Sequence, residues 1–242
     1  RLSASPYVIL LNNDTKVKEG FIRNLYCSIE NRPKAFSVSA MMLMWDKPEL
    51  VDDAGDRYCA LGWAYARGKG KPAKLYDRPC EIFSSCGGAA IYRKSVFDEI
   101  GYFDETHFAY LEDIDLGYRA KIAGYRNVYI PTAKVYHVGS GTSGSRYNEF
   151  KVSLSSRNSV YLAYKNMPFL QLVLNAPLLL AGFAIKYLFF LRKGLGKTYA
   201  RGLRKGLKLC RRERKVKFYW KNLPSYGKIQ IALWINIGKR SR

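Results

Sequence analysis

The sequence predicts an α/β domain followed by a helical, strongly basic carboxyl-terminal appendage, and three observations carry that expectation. Up to about residue 150, short apolar runs of strand length alternate with segments of helical spacing. Beyond it the pattern is helical to the end. The charge divides at the same place. Residues 1–150 carry 20 Lys and Arg against 18 Asp and Glu, whereas residues 151–242 carry 21 against one, Glu213. A near-neutral part and an intensely basic part imply two jobs, so the expected domains are 1–150 and 151–242.

The elements follow in order. The continuous apolar run at 6–11 (P-Y-V-I-L-L) reads as a buried parallel strand. Residues 17–30 have helical spacing through Phe21, Leu25 and Ile29, and Asn31-Arg32-Pro33 stops them. Residues 35–44 read as a second buried strand. Residues 46–80 read as a surface excursion with strand-like pieces around Tyr58 and Trp63. Small residues at Cys86-Gly87-Gly88-Ala89-Ala90 lead into the next strand, where backbone must approach something closely. A short helix over 95–100 ends at Gly101, and a longer one over 112–123 stops at Gly124. Strands at 128–130 and 135–138 precede a loop of small residues at 139–145.

Composition narrows the class. An apolar content of 48% supports a real core. The five cysteines are irregularly spaced with no C-x-x-C pair, which argues against a disulfide framework or structural zinc and for reduced thiols in a cytosolic setting. No signal peptide pattern opens the chain. It begins at Arg1, almost directly on a strand, so a natural amino-terminal portion is expected upstream.

The basic region holds two membrane signals. Residues 166–185 carry no charge over a length that matches a bilayer span. Pro177 breaks the backbone ladder part-way along, so a helix–turn–helix dipping into the interface is the preferred reading, with a true span and a buried core helix as alternatives. Over 195–212, Tyr199, Leu203, Leu207, Leu209 and Cys210 fall on one half of a helical wheel. Lys197, Arg201, Arg204, Lys205, Lys208, Arg211 and Arg212 fall on the other. That is the pattern of an interfacial helix on an anionic membrane, and its rival is a solvated basic helix packed on its own domain. Such charge would also suit nucleic acid, but no zinc finger, RNA-recognition signature or homeodomain pattern accompanies it, so no nucleic-acid partner is expected.

The order of several short motifs is more specific. They are L-L-N-N-D-T at 10–15, D-D-A-G at 52–55, C-G-G-A-A-I-Y-R at 86–93, G-Y-F-D-E at 101–105 and Y-L-E-D-I-D-L-G-Y-R at 110–119. A-G-Y-R at 123–126, P-T-A-K-V-Y-H at 131–137 and S-R-N-S-V-Y-L at 156–162 complete the set. In this order they resemble the family 2 inverting glycosyltransferases, in particular their rhamnosyltransferase-like branch, over about residues 6–168. The resemblance implies a partial GT-A (Rossmann-like) domain with a mixed sheet, its nucleotide-base half lying upstream of Arg1. It also implies transfer of a sugar, rhamnose by the branch, from a nucleoside-diphosphate sugar to a lipid-linked or cell-surface glycan acceptor, with inversion. The setting would be peripheral, at the cytoplasmic face of the cell membrane.

Residue by residue, Asp14 matches the metal-touching end of the family's D-x-D-like motif. Asn12 stands where many relatives have an acid, which puts its donor contact in doubt. His137 matches a histidine that completes the metal site in several relatives, for Mn2+ or Mg2+. Asp113 matches the general base, and an aspartate is ionised at neutral pH without special tuning. Glu112 would orient the base or the acceptor, and Cys86, Gly87 and Gly88 would line the nucleotide-sugar site. Each has a plainer rival: a turn residue at Asp14, a helix cap at Asp113, a hydrogen-bonded structural histidine at His137, and tight packing at the glycines. Arg157 and Asn158 fit the pattern with no role that the residues themselves suggest. The alternative function is a catalytically inactive, membrane-tethered binding module, and the second alternative is a basic nucleic-acid-binding protein.

Overall fold

The computed structural model of the chain describes residues 4–138 and 147–239; the loop expected at 139–145 lies outside the described residues. In chain order the elements are β1 (Tyr7–Leu11), β2 (Thr15–Val17), α1 (Phe21–Glu30), β3 (Ala35–Met44), β4 (Val51–Asp53), β5 (Asp56–Cys59), β6 (Trp63–Ala66), β7 (Cys80–Ile82), β8 (Ala89–Arg93), α2 (Lys94–Ile100), α3 (Glu112–Ile122) and β9 (Arg126–His137). Four helices follow: α4 (Glu149–Asn166), α5 (Phe169–Arg192), α6 (Gly196–Cys210) and α7 (Leu223–Gly238). The chain folds into two compact units. One comprises Arg1–Arg57, Tyr65–Phe103 and Leu116–Gly144; the other comprises Tyr58–Ala64, Asp104–Asp115 and Ser145–Arg242.

The first unit is built on a seven-stranded mixed sheet. Its order is β1-β8-β3-β9-β2, with β4 added beside β3 and β7 beside β9. The β3–β9 pairing is parallel, and the other described pairings are antiparallel. β3 is buried almost throughout, its alternate residues packing on opposite faces of the sheet. Val38, Ala40 and Met42 meet Phe21, Leu25 and Ile29 of α1 on one face, while Met41 and Leu43 pack with Val51, Ile82 and Tyr129. A further cluster joins Phe36 and Tyr92 to Val96 and Phe97 of α2 and to Leu116 and Ala120 of α3. Gly117 is required where it stands, because a Cβ there would lie 2.4 Å from Ser84 Oγ and 2.9 Å from Ser84 Cα. That contact seats the helix against the segment before β8, and Asn127 locks it by donating to the carbonyls of Phe83 (2.7 Å) and Gly117 (3.1 Å).

Three expectations for this region are corrected. β1 is antiparallel, not parallel, and only half-buried, because among the described residues it pairs with β8 alone. The two strands foreseen at 128–130 and 135–138 are one strand, β9, that runs through Pro131. Proline lacks the ladder N–H, and the register slips there, from Ser39 opposite Tyr129 to Met41 opposite Lys134. Tyr58 and Trp63 are not on a surface excursion but are buried.

The second unit is helical. α6 lies on α4 through Gly202 and Gly206: a Cβ on the first would come within 1.8 Å of Ser156 Oγ, and one on the second within 2.6 Å of the Arg157 carbonyl. Two glycines four residues apart thus let two backbones approach. The apolar side of α6 is therefore occupied by α4 in large part, while Lys197, Arg201, Arg204, Lys205, Lys208, Arg211 and Arg212 are all exposed.

α5 is one unbroken helix with Pro177 inside it, not a helix–turn–helix. A proline costs the helix one N–H donor, to the Val173 carbonyl, and the remaining turns carry it past. Its buried positions are Gln171, Asn175, Leu179, Gly182 and Phe190, whereas Leu170, Val173, Leu174, Leu180, Ile185 and Leu188 are exposed. Asn175 exchanges hydrogen bonds with Gln230 of α7 at 2.8 and 2.9 Å, and Trp63 Nε1 donates to the Gly182 carbonyl at 3.0 Å. Gln171 and Asn175 thus face inward, while a row of large apolar side chains is left facing outward.

Candidate active site

Within the first unit, the antiparallel β2–β9 pair sets Thr15 opposite His137, which brings Asp14 to the imidazole. Asp14 Oδ1 lies 3.4 Å from His137 Nε2. The other ring nitrogen, Nδ1, is 2.7 Å from Asp52 Oδ2, and Lys69 Nζ is 2.5 Å from Asp52 Oδ1. Asp52 reaches the ring because β4 and the end of β9 flank the same stretch of β3, at Met42 to Met44. A proton on Nδ1 shared with Asp52 leaves the Nε2 lone pair turned towards Asp14, and metal-binding histidines are commonly oriented by such a carboxylate. The 3.4 Å separation suits two ligands of one ion, each about 2.0–2.3 Å from it. One imidazole and one carboxylate, with remaining positions for phosphate oxygens and water, fit Mn2+ or Mg2+. The hydrogen bond with Asp52 raises the His137 pKa. Burial alone would raise that of Asp52, but His137 and Lys69 bring it below the ordinary value.

Asn12 follows β1, and its N–H donates to the Gly88 carbonyl at 2.9 Å. A Cβ on Gly88 would lie 3.1 Å from Asn12 Nδ2, so these two predicted donor-site residues are in contact, while the space around Gly87 is open. Cys86 is half-buried, with its sulfur within 4.8 Å of carboxylate oxygens of Asp53 and Asp56. Burial pushes the Asp53 pKa up to about 6, with the Asp52 charge adding to it.

Glu112 and Asp113 open α3 in the second unit, behind a strained loop. Phe108 (φ 61, ψ −62), Tyr110 (φ 67) and Leu111 (φ 71) all have left-handed backbone without being glycine. The Ala109 N–H donates to the His107 carbonyl at 2.7 Å, closing a three-residue γ-turn of the rare positive-φ kind around Phe108. Conformations of this sort cost about 1–3 kcal/mol each and persist where surroundings impose them. Here the imposing residues are Arg157 and Asn158 of α4. Asn158 Nδ2 donates to the carbonyls of His107 (2.9 Å), Ala109 (2.8 Å) and Tyr110 (2.7 Å). Arg157 Nη2 donates to those of Thr106 (2.8 Å) and His107 (2.9 Å). The two residues that had no role by sequence clamp the loop that delivers the acidic pair.

Beneath the loop, Lys165 Nζ bridges Asp104 (2.7 Å) and Asp115 (2.8 Å). Tyr161 donates to Asp104, and Asn166 to Asp115, both at 2.8 Å. Asp104 is thus part of a largely interior network. Asp104, His107 and Asp115 also offer three ligand atoms within 4.8 Å of one another, but Lys165 already supplies the positive charge there.

The acidic pair is itself tuned. Asp113 Oδ1 accepts the Ile114 N–H at 2.7 Å, a helix-start bond. Glu112 Oε2 is buried without a hydrogen-bond partner, and burial, with the Asp113 charge adding to it, pushes the Glu112 pKa up to about 7. A carboxyl group raised in this way favours the folded state below its unfolded pKa of about 4.3, and that contribution is lost as pH rises through about 7. Glu112→Gln is therefore expected to stabilise the fold above pH 7 by about 2–4 kcal/mol and to leave stability near pH 4 unchanged. Urea titrations at the two pH values measure this, and equal effects at both would contradict the raised pKa.

An N-acetylglucosaminyl-diphospho-decaprenol L-rhamnosyltransferase of Mycobacterium tuberculosis is 30% identical over 156 residues, covering 57% of this chain and 48% of that protein. The rhamnosyltransferase WbbL of Escherichia coli K12 is 27% identical over 169 residues, 66% of this chain and 63% of the relative. The chain thus spans about half the length of the mycobacterial relative it matches. Among solved structures, GalNAc-T7 with UDP, GalNAc and Mn2+ superposes with a TM-score of 0.50 at 15% identity, over 66% of this chain and 31% of the other, a likeness of fold. The model of the glycosyl transferase family group 2 matches residues 7–191. The chain therefore belongs to glycosyl transferase family 2, among relatives of rhamnosyltransferase type.

Proposed function

We propose that this chain is the metal- and acceptor-side portion of an inverting glycosyltransferase. It transfers a sugar, rhamnose by its relatives, from a nucleoside-diphosphate sugar to a lipid-linked glycan acceptor. The observation that carries the reading is the pairing of Asp14 with His137 Nε2, with Asp52 holding the opposite ring nitrogen. Asp14 and His137 would hold a divalent cation, which when bound supplies charge neutralisation for the departing diphosphate. Asp113 accepts the proton of the acceptor hydroxyl as its oxygen bonds to the anomeric carbon. The bond from that carbon to the diphosphate breaks on the opposite face, so configuration inverts. Glu112, with its raised pKa, limits the negative charge beside the base. Asn12 and Gly88 border the donor.

Full-length protein incubated with nucleotide sugars, acceptor and Mn2+ is expected to release nucleoside diphosphate. A chelator, Asp14→Ala or His137→Ala should each lower the rate by about 10²-fold or more. No release from any nucleotide sugar would favour the inactive, membrane-tethered module instead.

We further propose peripheral attachment at the cytoplasmic face of the membrane. α5 is long and apolar enough to cross a bilayer by length and composition, and its outward face is apolar while its inward face carries Gln171 and Asn175. α6 and the two residues that follow it carry seven exposed cations, worth about 1 kcal/mol each near an anionic leaflet. Changing the seven to glutamine should release the protein from phosphatidylserine vesicles but spare its folding. Unchanged sedimentation with those vesicles would remove α6 from the account.

A further inference from the structure

A single aromatic ring in solvent needs no special cause. Phe108, which is 77% exposed, has one. Its backbone sits in the positive-φ γ-turn, and Arg157 and Asn158 hold that turn through five hydrogen bonds to the carbonyls of Thr106, His107, Ala109 and Tyr110. Asn158 is wholly buried, and Arg157 Nε donates to its Oδ1 at 2.9 Å, which fixes the amide. A loop free to relax would leave this conformation and lay the ring on the protein's own surface. Here the fold imposes strain and leaves the ring outside, the opposite of what burial of apolar surface favours.

The surroundings say what the ring can meet. Phe150, 59% exposed at the start of α4, stands at 85° to Phe108 with the ring centroids 6.5 Å apart. The two rings form an open apolar corner, a floor and a wall. Residues 104–115 carry Asp104, Glu105, Glu112, Asp113 and Asp115 with no Lys or Arg, and Lys165 offsets only part of that charge. Such a segment repels an anionic lipid or a nucleic acid. It suits a neutral ligand with one apolar face and hydroxyls at its rim, which is the chemistry of a pyranose. The ring's C–H groups turn the positive ends of their dipoles to the negative face of an aromatic ring, and its hydroxyls donate to carboxylates. Glu112 Oε2, buried without a hydrogen-bond partner four residues further on, has such a bond to offer. We propose that Phe108 is the platform on which the acceptor's sugar ring stacks, with Phe150 as its side wall, and that this corner selects which ring orientation reaches Asp113. The clamp suits that use, because a misplacement of about 1 Å can cost 10²-fold in rate. The inference rests on the transferase reading for the word acceptor; the stacking itself is measured without turnover.

The test is saturation-transfer NMR on the full-length protein, without nucleotide sugar. The probes are the methyl glycosides of glucose, galactose, N-acetylglucosamine and rhamnose, with glucitol, which has the hydroxyls but no ring, as the control. At least one glycoside should receive saturation mainly on the C–H protons of one ring face, and glucitol should receive none. Phe108→Leu keeps an apolar, non-glycine residue in the turn but removes the π-face, and it should weaken the contact tenfold or more, whereas Phe108→Tyr should keep it. Phe150→Leu should weaken it a few-fold, and it carries the test if Phe108→Leu does not fold. Contact unchanged in both leucine variants, or none with any glycoside, overturns the proposal. So does Phe108→Leu that keeps the glycoside contact but loses binding to phosphatidylserine vesicles, which would make the loop a lipid contact. In turnover, Phe108→Leu should raise the acceptor KM tenfold or more and leave the nucleotide-sugar KM unchanged. Nucleotide release with an unchanged acceptor KM in that variant overturns the platform alone. Contact that depends on the Phe108 ring, in a protein that releases nucleotide from no donor, overturns the transferase reading and leaves the stacking site standing.

Discussion

Asp113→Asn in the full-length enzyme is expected to lower kcat by about 10²–10⁴-fold, with nucleotide-sugar affinity unchanged. Asparagine keeps the side-chain oxygen that accepts the Ile114 N–H at 2.7 Å, so the start of α3 stays capped. It cannot take a proton from the acceptor hydroxyl. The plainer role, helix capping alone, predicts a small loss of stability and normal turnover, so the two roles separate in one experiment. Glu112→Gln supplies the contrast, because it removes a carboxyl group of raised pKa and leaves the base in place. A full rate in Asp113→Asn would contradict the base assignment; an equal loss in both variants would point to disruption of the loop. The loop matters because three non-glycine residues in left-handed backbone precede the pair, and Asn158 alone donates to three of its carbonyls.

The fold was legible wherever a period could be read. The helical spacing of Phe21, Leu25 and Ile29 and the mainly apolar run of β3 place α1 and the sheet centre correctly, because burial of one helix face or two strand faces leaves that imprint. Strand partners leave none. β1 carries the apolar run of a buried parallel strand and is a half-buried antiparallel one. Asp52 lies in a motif of the resemblance, yet its bond to His137 depends on β4 and β9 meeting β3 at the same level, which no local pattern encodes. The wheel of α6 is ambiguous for a related reason: an apolar face suits a lipid surface or a neighbouring helix equally. Gly202 and Gly206 held the distinguishing signal, since small residues four apart mark a close backbone approach, and α4 is what they approach.

The largest effect on folding is expected from Lys165→Met, which removes the ammonium between Asp104 and Asp115 and leaves two interior carboxylates facing each other. Asp115 is wholly buried, and stranding a buried charge by deleting its partner costs about 3–5 kcal/mol. In the wild type, burial alone would raise the Asp104 pKa, but hydrogen bonds from Lys165 and Tyr161 hold it well below the carboxylate range. A depressed carboxylate contributes stability above its unfolded pKa of about 3.9 and loses it only as pH falls through the lower folded value. Without Lys165 the sign reverses. Burial and mutual repulsion then raise the folded-state pKa values of the pair, so Lys165→Met should be less damaged at pH 5 than at pH 8, which urea titrations at both would show. Adding Asp115→Asn should recover part of the loss by removing one of the two charges, and the recovery should be greater at pH 8. A variant within about 1 kcal/mol of wild type at both pH values would mean that water solvates the pair, and that the network does not hold the base of the strained loop.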